Sequence, residues 1–265
     1  MYSNLHTHTV YSDGKDTMEE IITAAMAAGL DSIGISDHSH TPCDESYCMK
    51  KDSYPQYLQD VMRLKAQYAS RIPVYAGLEL DAMSRVDTAG LDYVIASVHY
   101  LDCGVEICPL DESPAVQKAC LDAHFQSDAL AMADSYYKLL VSHVKNTKPT
   151  FVGHFDIIDK FSLMPTEDPA YRVLALSALE QVICLCPYLE VNTGIMARGL
   201  KNAPYPADFL LEAAREMGMR PVLSSDCHRK EKLIFAFDKA VALLKSKGFD
   251  GIWVFNGTSF QKQAI

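Results

Sequence analysis

Two short runs, Tyr2-Ser-Asn-Leu-His6-Thr-His8 and Ser32-Ile-Gly-Ile-Ser36-Asp-His38, bracket a helical stretch that opens at Thr17-Met-Glu-Glu20. Thr17 and Glu20 have the spacing of a capping box. Met18, Ile21, Ile22 and Ala25 then recur at i, i+3, i+4 and i+7, and Gly29 stands just past the end. The flanking runs read as strands over 2–6 and 32–36, brief and apolar as strands covered on both faces must be. The unit is strand–helix–strand, with histidine at the end of each strand. Residues i and i+2 of an extended chain point to the same side, so His6 and His8 can converge on one ion.

The same alternation continues outward. Further strands are predicted over 73–79, 93–99, 150–154, 189–192, 220–226 and 251–255. One helix is expected from about Ala207 to Met217, opened by Pro206 and closed by Gly218. Another is expected over 234–247, with Ile234, Phe237, Val241 and Leu244 on one face before Gly248. Residues 101–148 break the rhythm: 103–114 are rich in turn and acidic residues, and a long helix follows through Tyr136, Tyr137, Leu140 and Val144. We read this as one crossover carrying an insertion, 101–126, after the fourth strand. No linker or internal repeat divides the chain, so 1–265 is expected to form one domain. The fold class is α/β, a closed (β/α) barrel first and an open doubly wound sheet second.

Composition narrows the function. Of 265 residues, 49% are hydrophobic and 22% charged, which excludes disorder. A net charge of −10 argues against a broad nucleic-acid face or a polybasic membrane patch. No apolar run approaches the roughly 18–20 residues needed to span a bilayer. The N-terminus has neither a basic nor an apolar leader segment, so a cytoplasmic location is expected. The eight cysteines form no CxxC pair and read as free thiols.

The chemistry lies in the histidines and certain carboxylates. His6 and His8 follow the first strand, and Asp13 lies in the turn Tyr11-Ser-Asp-Gly14. His38, Glu79, His99 and His154 end the next four strands, while Asp226 and His228 follow the strand at 220–226. In a parallel barrel all these ends open onto one face. Any one such histidine would be unremarkable alone; agreement across successive strand ends is the signal. Mixed imidazole and carboxylate ligands suit zinc, manganese or iron better than magnesium. Nine ligands are too many for one ion, so two or three divalent ions are implied. His40, His124 and His143 lie off the pattern and read as ordinary polar residues. Cys227, between Asp226 and His228, reads as packing.

In this combination the sequence resembles the PHP (polymerase and histidinol phosphatase) superfamily. The matching motifs are His6-x-His8, Ser36-Asp-His38, Gly77-x-Glu79, Ser97-Val-His99, Gly153-His154 and Asp226-x-His228. Within it the chain is similar to the stand-alone histidinol-phosphate phosphatases, through Gly77-Leu-Glu-Leu-Asp81, the long insertion, Gly153-His-Phe-Asp-Ile-Ile-Asp-Lys160, and Glu190-Val-Asn-Thr-Gly194 with Arg198 behind it. The resemblance implies a distorted (β/α)7 barrel with a trinuclear centre. His6, His8, Glu79 and Asp226 would hold one ion; Glu79 would bridge to a second held by His99 and His154; Asp13, His38 and His228 would hold the third. Some family members carry histidine where Asp13 stands.

Asp226 and His228 are the catalytic candidates, and a hydroxide bridging two ions is the implied nucleophile. Arg198 and Lys160 match basic positions that would bind substrate phosphate. Asp37 and Asp156, each beside a ligand, read either as acceptors that orient imidazoles or as turn formers. The expected activity is hydrolysis of L-histidinol phosphate in histidine biosynthesis. Another small phosphate ester or nucleotide is the alternative substrate. A non-catalytic metal-stabilised module is disfavoured by the intact ligand set, and an amidohydrolase by the lack of a lysine at any strand end.

Overall fold

In the computed structural model, which describes residues 2–265, the first unit forms where its signals lie: β1 (Ser3–Asn4), α1 (Met18–Ala27) and β2 (Ser32–Ile35). The capping box closes in both directions, Glu20 N–H to the Thr17 hydroxyl and Thr17 N–H to the Glu20 carboxylate at 2.9 Å. Met18, Ile21, Ile22 and Ala25 are the buried face of α1. β1 and β2 pair in parallel. Next come α2 (Tyr54–Tyr68), β3 (Val74–Ala76), β4 (Glu79–Asp81) and β5 (Ile95–Ser97).

The strand expected over 73–79 is bent at Gly77-Leu78, so that β3 pairs with β2 while β4 pairs with β5. A ring makes the bend. Tyr93, 2% exposed, lies against both Gly34 and Gly77, where an added Cβ would come within 2.1 Å of its atoms. Its hydroxyl donates to the Leu5 carbonyl at 2.6 Å.

The insertion is folded. β6 (Tyr100–Asp102) and β7 (Ile107–Pro109) form an antiparallel hairpin, followed by α3 (Pro114–Phe125). The long helix is α4 (Ala129–Thr147), started by Asp128, which caps Leu130 and Ala131. The remaining elements are β8 (Phe151–Val152), α5 (Pro169–Leu185), β9 (Tyr188–Asn192), α6 (Gly194–Ala197), α7 (Asp208–Glu216), β10 (Arg220–Ser224), α8 (Phe237–Ser246), β11 (Gly251–Phe255) and β12 (Phe260–Ala264).

The parallel strands fall into two sheets, ordered β1-β2-β3 and β10-β9-β8-β5-β4. This corrects the expectation of a closed barrel. Among the described residues, backbone pairing between the sheets is reduced to isolated pairs, Thr7 with Cys227 and His38 with Glu79, both at strand ends that carry the histidines and carboxylates. Asn4 explains one seam. Its amide donates to Ser225 and to the Leu233 carbonyl, and its side-chain oxygen accepts from His6 N–H, so side-chain bonds replace the ladder. Helices cover the outer faces. Ile21, Ile22, Val61 and Leu64 pack on Ile33, Ile35 and Val74, while Tyr136, Leu140, Leu179 and Val182 pack on Val152, Leu189 and Val191.

Two further expectations are corrected. Residues 251–255 join no parallel sheet but pair antiparallel with β12, and Phe255 and Phe260 pack on Tyr75, Tyr93 and Phe151. Ile234 is 44% exposed, because the last helix starts only at Phe237 after Ala236 takes a left-handed conformation (φ 56°). No helix among the described residues is long and apolar enough to cross a membrane.

Gly34→Ala forces a methyl into the Tyr93 hydroxyl. Overpacking of this kind costs about 1–3 kcal/mol. The expected readout is a fall in melting temperature of roughly 2–4 °C per kcal/mol; an unchanged midpoint would show that Tyr93 yields without penalty.

Candidate active site

The strand ends bring all nine candidates together. Glu79 sits at the centre. Its Oε2 is 3.2 Å from His6 Nε2 and 2.7 Å from His38 Nδ1; its Oε1 is 2.9 Å from His154 Nε2 and 3.4 Å from His99 Nε2. Asp226 Oδ1 lies 3.1 Å from His8 Nε2, and Asp13 Oδ2 lies 3.1 Å from His228 Nε2. Four overlapping groups are tight enough to hold an ion: His6, His8 and Asp226; His6, Glu79 and His154; His38, Glu79 and His99; and His8, Asp13, His38 and His228. Relative to the implied sets, His8 also reaches the Asp13 group and His38 also reaches Glu79.

The side chains suit cations. His6, His8 and Glu79 are essentially inaccessible to solvent. His6 Nε2, both ring nitrogens of His8, and His154 Nδ1 are buried without a hydrogen-bond partner. Buried polar atoms normally find partners, and divalent ions would supply them here.

Electrostatics treat the histidines differently, and an ion arriving at a protonated one would displace its proton. Burial, with His228 and His38 alongside, pushes His8 down to about 3, so it is neutral and able to ligate. Burial also opposes charge on His99, but the Glu79 and Asp81 carboxylates outweigh it and raise the group to about 9. Burial opposes ionisation of Asp226, yet the Arg198 guanidinium and His6 hold it well below the usual carboxylate range.

Two acids that stand in the motifs quoted from the sequence, without a role there, support the histidines. Glu190 Oε1 accepts from His6 Nδ1 at 2.6 Å and from the Ser224 hydroxyl. Its Oε2 accepts from the His154 amide at 2.7 Å and from Asn192 at 2.8 Å. One carboxylate thereby steadies two strand ends. Asp81 Oδ2 accepts from the His99 amide at 2.9 Å and lies 3.1 Å from its Nδ1. The available signal was an acid inside the apolar run 189–192 and another two residues past the run 73–79. By contrast, Asp37 and Asp156 orient no imidazole. Asp37 accepts from the amides and hydroxyls of Thr9 and Ser12, shaping the loop that carries Asp13, and Asp156 accepts from Ala207 N–H at 2.9 Å.

Arg198 follows α6 and turns back over the rim. Nη1 donates to Asp226 Oδ2 at 3.0 Å, and Nη2 lies 3.2 Å from His228 Nδ1. Gly194 makes room, since a Cβ there would sit 2.7 Å from Nη1. Lys160 is less free, because its ammonium donates to the Asp111 carbonyl at 2.8 Å and carboxylate at 3.1 Å. Both cations line a cleft of about 610 Å³ over the histidine cluster, whose lining also includes Tyr100 and, from the insertion, Asp111 and Glu112. The off-pattern histidines bond elsewhere: His40 to Glu45, His124 to Glu106, and His143 to the Leu80 carbonyl. Cys227 is buried among apolar side chains and donates to the Arg229 carbonyl.

Comparison with known proteins places this geometry in a family. The PHP domain matches residues 4–194. A protein of Deinococcus radiodurans named "Probable histidinol-phosphatase" is 30% identical over 256 residues, 93% of each chain. The histidinol-phosphatase of Bacillus subtilis is 24% identical over 262 residues, 88% of this chain and 96% of that one. In fold, the chain is similar to the crystal structure of histidinol phosphate phosphatase from Lactococcus lactis subsp. lactis, complexed with zinc, L-histidinol and phosphate. That match has a TM-score of 0.72 and 22% identity, and covers 98% of this chain and 99% of the other. With the family's domain spanning well over half its length, the chain belongs to the PHP domain family.

Proposed function

We propose that residues 1–265 form one PHP-type domain, a distorted (β/α)7 arrangement whose barrel is not closed. In this reading it is a metal-dependent phosphomonoesterase that hydrolyses L-histidinol phosphate to L-histidinol and phosphate in histidine biosynthesis. One observation carries the proposal: six histidines and three carboxylates meet beneath a cleft with Arg198 at its lip. The names of relatives matched over most of their length support the choice of substrate.

His6, His8, Glu79 and Asp226 are assigned to one ion, Glu79 with His99 and His154 to a second, and Asp13, His38 and His228 to a third. Zinc, manganese or iron ions held by these residues would supply Lewis acidity, lowering the pKa of bound water toward neutrality and offsetting phosphoryl charge. The protein's share is position and charge. Glu190 and Asp81 hold His6 and His99 by Nδ1, so that Nε2 faces inward. Arg198 presents a planar fork to phosphoryl oxygens while fixing Asp226. Two of the three donors of Lys160 go to Asp111, which leaves one for substrate.

The direct test is a substrate panel on metal-replete protein: L-histidinol phosphate, nucleoside monophosphates, cyclic phosphodiesters and an aryl phosphate. A kcat/KM preference above about tenfold for histidinol phosphate is expected; a smaller one would favour another phosphate ester as the substrate. His8→Ala is expected to lose turnover together with bound metal, read by metal analysis. Glu190→Gln keeps the shape but weakens the acceptor behind His6. It should lower zinc affinity by about 10–100-fold in competition with a chromogenic chelator. An unchanged affinity would reduce Glu190 to a purely structural role.

A further inference from the structure

Between α6 and α7 the chain passes Tyr205, whose backbone is fixed on both sides. Its N–H donates to the Asn192 carbonyl and its carbonyl accepts from Asn192 N–H, both at 3.0 Å. Two residues on, Ala207 N–H is held by Asp156. The Tyr205 ring stands edge-on to His154, with centroids 6.3 Å apart and planes at 68°. It is 4% exposed and lines the same cleft as Arg198 and Lys160.

Its hydroxyl has no hydrogen-bond partner. Other deeply buried tyrosines do. Tyr57 donates to the Ile35 and Gly77 carbonyls, Tyr93 to Leu5, Tyr136 to Phe155, and Tyr137 pairs with Tyr171. A buried phenol is expected to find an acceptor, and one left without it lowers stability. A phenol, with an ordinary pKa of about 10, keeps its proton at neutral pH and can donate it. An acceptor entering the cleft would satisfy its O–H, and Arg198 on the same cleft favours an anionic one.

We propose that the Tyr205 hydroxyl donates to a phosphoryl oxygen of the bound substrate, beside the Arg198 guanidinium. The assignment rests on the phosphatase reading and adds a substrate-binding residue to it. Arg198 already directs donors at Asp226 and His228, whereas the Tyr205 donor is uncommitted.

Tyr205→Phe removes one oxygen and keeps the ring. Inorganic phosphate, titrated calorimetrically into metal-loaded protein, is the probe, with metal content and melting temperature measured alongside. A neutral donor on a charged oxygen predicts a Kd for phosphate raised roughly 10–100-fold. Metal content should be unchanged, and the phosphate-free melting temperature equal to or above wild type. An unchanged phosphate Kd overturns the inference. So does a lowered melting temperature with normal phosphate binding, which would make the hydroxyl a structural partner of Asp156. A wild type that binds phosphate with a Tyr205-dependent Kd, yet does not hydrolyse L-histidinol phosphate, sinks the proposed substrate and leaves the Tyr205 contact standing. A wild type that takes up no phosphate overturns both.

Discussion

Glu79 keeps its carboxylate within 3.4 Å of imidazole nitrogens from His6, His38, His99 and His154, which arrive on four other stretches of chain. A carboxylate this deeply buried stays ionised only if its neighbours compensate it. Burial opposes its charge, and His38, His6 and His99 more than reverse that, holding it well below its ordinary range. The whole arrangement follows from that need. Strand ends distant in sequence must meet around one carboxylate, and the two sheets touch at this point, through the His38–Glu79 pair.

The surroundings divide the labour between rigid and adaptable parts. Strand-borne acids, Glu190 and Asp81, grip the far nitrogens of His6 and His99. Such backing fixes the ring orientation a metal needs. The rim of the cleft is built by loops tied to one another. Asp37 holds the 9–13 loop, Gly194 admits Arg198, Asp111 of the insertion holds Lys160, and Tyr100 donates to Asp44 at 2.9 Å. Loops carried on a fixed scaffold are where binding groups commonly lie. The insertion is thus a wall of the cleft, anchored by the Leu110 N–H to the His99 carbonyl at 2.9 Å.

Much of this was legible because it is encoded locally. The capping box and apolar stripe of α1 formed as read, since helix periodicity and caps involve residues within one or two turns. Histidines and acids at the ends of short apolar runs converged as anticipated. Strand lengths were overestimated: β1 and β8 are only two residues long, and past them the His6 amide donates to the Asn4 side chain and the His154 amide to Glu190 rather than to a ladder. The run 251–255 looks like a parallel strand, and only its neighbour β12 makes it a hairpin. Glu190 and Asp81 stood in quoted motifs but had no readable role, because a buried acid is indistinguishable in sequence from a solvated one until its partner is known.

The amino-acid order alone determined the strand–helix alternation, the residue types of the centre and their placement at strand ends, because those depend on periodicities of two and 3.6 residues. Tertiary structure alone decided that the wall is two sheets joined at single pairs. It also decided that Glu79 is the hub, that Lys160 is tied to Asp111, and that the Tyr205 hydroxyl is left without an acceptor. Each of these turns on a contact between segments tens to hundreds of residues apart, and no local pattern records which distant group will arrive.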